Sequence, residues 1–252
     1  MRGRHLFIIF LFAIAAFADE ECPPRYSYCG YSGPAQWPNL PIEKNECGGT
    51  MQSPIDLATQ TRRTGDAIIV KYKATTATIQ NTGHDIKVTP TEEDPGEIKI
   101  GVKEYKLRYL HFHVPSEHRV PGVAALAEMH IVHQLKDGTD YAVIGVMLTR
   151  GVETYPALAP VFANLPLDVC AKPKAALPFN FDQLLPEKLS GYFTYAGSLT
   201  TPPCTQGVTW YVLGTPRPIL RSELAKLRAL GENARPIQRN TTPIPVTYVI
   251  AK

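Results

Sequence analysis

The chain has little of what marks the special classes of protein. Beyond its first twenty residues no long apolar run occurs, so the body of the chain offers no membrane-spanning helix. The C-terminal stretch NTTPIPVTYVIAK has no hydrophobic tail of the kind that a lipid-anchor signal needs. Internal repeats, low-complexity tracts and linkers are absent, as are the long acidic or Gly-Asn tracts that would suggest a mineral-binding matrix protein. No H-E-x-x-H is found, which disfavours a metalloprotease of that type. Charge of one sign is also missing. With 26 Lys and Arg against 23 Asp and Glu, neither nucleic acid nor an acidic membrane is implied as the main partner.

What is present begins with MRGRHLFIIFLFAIAAFADEE. A basic start, a short apolar run and small residues at Ala16 and Ala18 predict a secretory signal over residues 1–18, cleaved after Ala18. Residues 19–252 then form one domain with one sizeable core, in a secreted, extracellular protein without a membrane anchor. Losing Arg2 and Arg4 takes the basic count from 26 to 24, so the mature charge is near +1. In a secreted chain the five cysteines, Cys22, Cys29, Cys47, Cys170 and Cys204, point to disulfides. An odd number leaves at least one thiol free or paired between chains, and the spacing is not that of a zinc ribbon. Asn240-Thr241-Thr242 is a glycosylation sequon, which suggests a surface loop. No feature sets an oligomeric state.

Short β-like runs separated by turn residues dominate: AIIVKY, ATIQNTG, HDIKVTP, EIKIGVKEYKLRYLHFHV, LAEMHIVHQL, YAVIGVML, GYFTYAGSL, GVTWYVL and PVTYVIA. Asp137-Gly138 between two of them is a hairpin signal. Helical signals are few. TYPALAPVFANL holds a broken one, and RSELAKLRALG is the clearest, with Ser222 as the cap and Gly231 as the stop. The 23 prolines and 18 glycines suit a loop-rich β protein. The reading is α+β, mainly β: a single domain with a large, mostly antiparallel central sheet and a few peripheral helices.

The stretch RYLHFHVPSEH puts two imidazoles where a strand's core face should be. By alternation His111 and His113 share a face, and Leu110 and Phe112 take the other. Such a pair needs a third ligand before it means much. In LAEMHIVHQL, alternation sets Glu128, His130 and Val132 on one face and Met129, Ile131 and His133 on the other. If this strand lies beside the first, about 4.8 Å away, His130 completes a triangle with His111 and His113. Three imidazoles with a fourth position open is the arrangement of a catalytic zinc site, although imidazole also suits copper and other ions, and Glu128 is on the correct face to orient His130.

These strings resemble, in order, the α-class carbonic anhydrases: QSPIDL at 52–57, NTGHDIKV at 81–88, LHFHVPSEH, AEMHIVH, GSLTTPPC and GVTWYVL at 207–213. The likeness runs from YSYCGYSGPAQW to ARPIQ. It implies a large twisted sheet, mostly antiparallel, with Zn2+ held by His111, His113 and His130 at the floor of a conical cleft. It further implies reversible hydration of carbon dioxide to bicarbonate and a proton, with zinc hydroxide as the nucleophile. Thr200 matches the residue that orients the nucleophile, Glu117 its carboxylate acceptor, and Thr201 a residue lining the bicarbonate site. Val132, Val143, Leu199, Val208 and Trp210 match the apolar wall that receives carbon dioxide. His84 matches the proton shuttle, for which an imidazole near its normal pKa is suited. Tyr28 matches a tyrosine that helps to order the shuttle's waters. His118 and His133 match structural positions. The resemblance also implies a Cys47–Cys204 disulfide fixing the TTPPC loop, with Cys22–Cys29 as a second pair and Cys170 free.

The chain departs from the family at Tyr109, where a glutamine usually supports the first ligand, and at Lys87, where another polar residue is often found three after the shuttle. No zinc ligand is lost, so an active enzyme is expected. Ester hydrolysis reads as a side activity of the same centre. The competing reading is a catalytically weak extracellular matrix or storage protein that keeps the fold.

Overall fold

Residues 25–251, apart from 137, 139, 172–175 and 190, are described by the computed structural model. The expected leader over 1–18 and Cys22 lie outside the described residues. Among the described residues fourteen strands form one sheet: β1 (Thr61–Gly65), β2 (Ile68–Tyr72), β3 (Ala74–Asn81), β4 (Ile86–Pro90), β5 (Gly96–Ile100), β6 (Lys103–His113), β7 (Ala127–Leu135), β8 (Tyr141–Arg150), β9 (Leu177–Asn180), β10 (Lys188–Leu189), β11 (Gly191–Ser198), β12 (Gln206–Leu213), β13 (Arg217–Ile219) and β14 (Thr247–Ala251). The main order is β1-β14-β11-β12-β8-β7-β6-β4-β3-β9. Three pairings are parallel, β1 with β14 and β8 with both β12 and β13, and the other described pairings are antiparallel. The run EIKIGVKEYKLRYLHFHV is two strands rather than one, because Gly101 at φ +58 turns the chain between β5 and β6.

Among the described residues there are two short α-helices, α1 (Ala159–Ala163) and α2 (Arg221–Arg228). The α1 helix follows a single 3₁₀ turn at Pro156–Leu158, the break foreseen in that segment. In α2 the cap is Leu220, not Ser222, which falls inside the first turn. The orphan N–H of Leu220 is satisfied by Glu223 Oε2 at 2.9 Å, so no hydroxyl cap is needed. Gly231, at φ +105, ends the segment as foreseen.

The sheet has a core on each side. On one face Leu110, Phe112, Met129, Ile131, Ile144 and Val146 pack with Leu158, Val161, Phe162, Leu224 and Leu227 from around the helices. On the other, Val132, Val143, Met147, Val208, Trp210 and Val212 pack with Ile55, Leu57 and Val120. The β6 strand changes parity partway along. Leu107 pairs with His133 and Tyr109 with Val132, so Arg108 is an extra residue, a β-bulge. Before it, the odd-numbered Tyr105 and Leu107 face the first core, whereas after it the even-numbered Leu110 and Phe112 do. The bulge therefore turns Tyr109, His111 and His113 to the second face.

Candidate metal centre

Two neighbouring strands build the centre. His111 and His113 follow the bulge on β6, and His130 lies directly across from His111 on β7, so the three rings rise from one face. Ring centroids are 4.8 Å apart for His111 and His113, 4.6 Å for His113 and His130, and 5.1 Å for His111 and His130. One nitrogen from each lies within 4.8 Å of the others.

Hydrogen bonds behind the rings decide which nitrogen two of them offer. His113 Nδ1 donates to the Asn233 carbonyl at 2.8 Å, leaving Nε2 buried and unpartnered with its lone pair available. His130 Nε2 donates to Glu128 Oε1 at 2.8 Å, leaving Nδ1. His111 differs, because its Nδ1 is buried without a hydrogen-bond partner. Tyr109 stands beside it, ring centroids 5.6 Å apart, but makes no hydrogen bond to that nitrogen. Burial pushes all three imidazoles below their ordinary pKa, His113 to about 4, and neighbouring imidazoles push His111 and His130 the same way. Neutral, crowded imidazoles with free lone pairs are what a metal ion requires, and an all-nitrogen set of three suits zinc.

Glu128 anchors the arrangement. Its Oε1 accepts from His130 and lies 2.6 Å from His118 Nδ1, while its Oε2 accepts the backbone N–H groups of Glu117 and His118, each at 2.8 Å. Burial alone would raise its pKa, but His118 and His130 hold it well below the usual carboxylate range. His118 Nε2 lies 2.6 Å from the Tyr195 hydroxyl, which donates to Ser53 Oγ at 2.9 Å. His133 sits on the opposite face, 2.5 Å from the Tyr72 hydroxyl. Both behave as hydrogen-bonded core histidines, as expected.

Glu117 is buried beside the triad, 3.4 Å from His113 and 3.9 Å from His130. Its Oε1 accepts the Arg235 backbone N–H at 2.8 Å, and its Oε2 is unpartnered. Burial raises it to about 7, against the pull of His130; the Thr200 hydroxyl also favours the charged form, more weakly. A cavity brings together Tyr109, His111, His130, Val132, Val143, Leu199, Thr200, Thr201 and Trp210. Val208 packs behind it in the same apolar cluster. Four of the five apolar-wall residues that the resemblance implies, the two threonines and two of the three imidazoles therefore converge on one space.

His84 is packed away from that space. Its ring lies flat against Tyr26 at 3.7 Å and edge-on to Tyr28 at 5.9 Å, with Nε2 buried and unpartnered. Burial pushes it down to about 4 instead of leaving it near its ordinary value. The Tyr28 hydroxyl is also buried without a partner, and burial, then the neighbouring Tyr26 and Glu117, raise its pKa.

Cys47 and Cys204 are joined, with Cα atoms 4.8 Å apart, and the bridge packs on Trp37. The other cysteine assignment is overturned. Cys29 is an exposed free thiol, and Cys170 is disulfide-bonded to a partner outside the described residues. The sequence reading missed Asn233 and Arg235. The Asn233 side chain bonds Val114 N, Phe112 O and His84 O at 2.7–2.8 Å, while its carbonyl takes His113. Arg235 reaches Gln52, Ser53 and Cys47 through its guanidinium. Both lie more than a hundred residues from the groups they hold, and ARPIQ was the only local signal.

A family model for eukaryotic-type carbonic anhydrase matches residues 32–244. The carbonic anhydrase of Neisseria gonorrhoeae is 36% identical over 235 residues, 91% of each chain. Alpha carbonic anhydrase 7 of Arabidopsis thaliana is 36% identical over 244 residues, 91% of this chain and 86% of that one. The solved α-carbonic anhydrase of Thermovibrio ammonificans, in complex with the inhibitor sulfanilamide, has a TM-score of 0.80 at 34% identity, over 88% of this chain and 98% of that one. Since the family model matches residues 32–244 and both the alignment and the fold likeness extend over most of each chain, the chain belongs to the eukaryotic-type, or α, carbonic anhydrase family.

Proposed function

We propose that this chain is a secreted, zinc-dependent enzyme that hydrates carbon dioxide reversibly to bicarbonate and a proton. The observation that carries this reading is a cluster of three buried imidazoles, two of which line one cavity together with an apolar wall. His111, His113 and His130 would hold the ion. When bound, zinc supplies the Lewis acidity that makes water nucleophilic near neutral pH, an effect for which carbonic anhydrase is itself the reference case. Thr200 then orients the attacking oxygen. Its hydroxyl accepts a hydrogen bond from that oxygen and donates toward Glu117 Oε2, which the Arg235 N–H leaves free by holding Oε1. Val132, Val143, Leu199, Val208 and Trp210 give apolar carbon dioxide a wall that offers few hydrogen bonds to water. Thr201 contributes to the bicarbonate site.

His84, with Tyr28, relays the released proton. With a pKa of about 4 in the Tyr26 stack, the ring carries protons efficiently at neutral pH only when it swings out to water. Residues 1–18 direct export and 19–252 form the working domain. The Cys47–Cys204 bridge supports an oxidising compartment, and no helix among the described residues is long and apolar enough to cross a membrane.

Stopped-flow hydration of carbon dioxide, with and without a zinc chelator, tests the reading. Chelator-sensitive hydration well above the buffer rate is expected. A zinc-containing protein with no such activity would leave the fold in a storage or matrix role.

A further inference from the structure

Lys87 stands directly opposite His111 in the β4–β6 ladder, so the two side chains share the catalytic face. Its ammonium sits 4.3 Å from the centroid of the Tyr109 ring, a cation–π contact. That ring lines the cavity holding His111, His130 and Thr200, and also lines a neighbouring groove with Lys87. The groove carries Lys106 and Arg108 as well, against Glu92 and Glu93, so cations outnumber acids there. The aromatic face holds Lys87 beside the cavity wall, on the side that His111 occupies.

Resting on the proposed zinc chemistry, we infer that Lys87, held by Tyr109, is a specificity-determining residue that raises the affinity of the catalytic cavity for small monovalent anions, bicarbonate among them. The substrate on the hydration side is neutral and the product is charged. A fixed cation therefore acts on one and not the other, and low-dielectric walls strengthen its field. The reaction's equilibrium constant fixes the ratio of the two kcat/KM values. Rates alone therefore do not isolate the effect, and the readout has to be binding.

The test uses thiocyanate as the probe anion, titrated calorimetrically into the zinc-loaded full chain and into Lys87→Gln and Lys87→Arg, with metal content measured on each sample. Removing the charge should raise the thiocyanate Kd about three- to tenfold at low ionic strength. The difference should shrink between about 0.01 M and about 1 M ionic strength, set with sodium sulfate, as the Debye length falls from about 30 Å to about 3 Å. Lys87→Arg should keep the wild-type Kd at both. Equal Kd values for wild type and Lys87→Gln, with zinc present in both, overturn the inference and leave the zinc reading intact. A wild type that retains no zinc overturns the zinc reading itself, and metal analysis distinguishes the two failures.

Discussion

At His130 one nitrogen is held by Glu128 and the other faces His111 and His113. Replacing it with alanine leaves two imidazoles from a single strand, too few to enclose an ion. His130→Ala should therefore lose zinc and turnover together, and full zinc occupancy in the purified variant would falsify the assignment. Thr200→Ala should instead keep zinc and lose turnover about 10²-fold, because in the proposed mechanism the hydroxyl orients the nucleophile and is not a metal ligand. Unchanged turnover would remove Thr200 from the mechanism. Tyr109 presents a third case. It leaves His111 Nδ1 buried and unpartnered, whereas a glutamine amide oxygen could accept from it. Support of this kind typically changes metal affinity about 10–100-fold. Tyr109→Gln should slow zinc release to a chelator by roughly tenfold. Release that is unchanged or faster would mean that His111 needs no such partner. The residue types and their spacing were legible in the sequence because metal chemistry restricts them tightly. The missing partner on His111 was not, because a side chain's reach depends on rotamer and packing.

Element by element, the centre depends on two irregularities in the sheet. One is the bulge at Arg108, without which β6 would carry His111 on the same face as Leu107, into the other core. The other lies in β11, where the register with β12 shifts between Gly197 and Ser198. A Cβ on Gly197 would fall 2.2 Å from Ser53 Oγ and 2.7 Å from Tyr195 Cε2. Those are the groups that hold His118 and, through it, Glu128. Gly197→Ala should destabilise the fold by about 1–3 kcal/mol, the scale of overpacking a filled core. Urea unfolding with an unchanged midpoint would show that the hydrogen-bonded chain yields without cost. Alternation alone located the strands and, after the bulge, the correct faces. It does not reveal a bulge, because one extra residue is invisible until the partner strand is known.

Over the whole molecule, acid sensitivity follows from histidines buried in their neutral form. His133 makes the clearest case, since it lies on the face away from the metal centre. Burial pushes it to about 3, against about 6.5 in an unfolded chain. Between those values the unfolded state binds the extra proton, so stability rises with pH. The contribution is fully present above about pH 6.5 and is lost as pH falls toward 3, on the order of 5 kcal/mol by the end. His133→Gln should flatten that acid limb while lowering stability at pH 7, where the bond to Tyr72 is lost. An unchanged slope of unfolding free energy against pH would show that other groups set the limb.

By itself the sequence determined the class of fold, the one domain, the three histidines, the carboxylate behind His130 and the polarity of the wall around them. The fold class, the histidines and the carboxylate follow from strand periodicity and from the few residue types that can bind a metal, whereas the wall was legible only through the family resemblance. Tertiary structure alone decided the packing of His84 under Tyr26, the pairing state of Cys29 and Cys170, and the support of His113 and Glu117 by Asn233 and Arg235. Each depends on contacts between segments far apart in the chain. Local pattern fixes which face a side chain takes, but what waits on that face is set by how the rest of the chain folds against it.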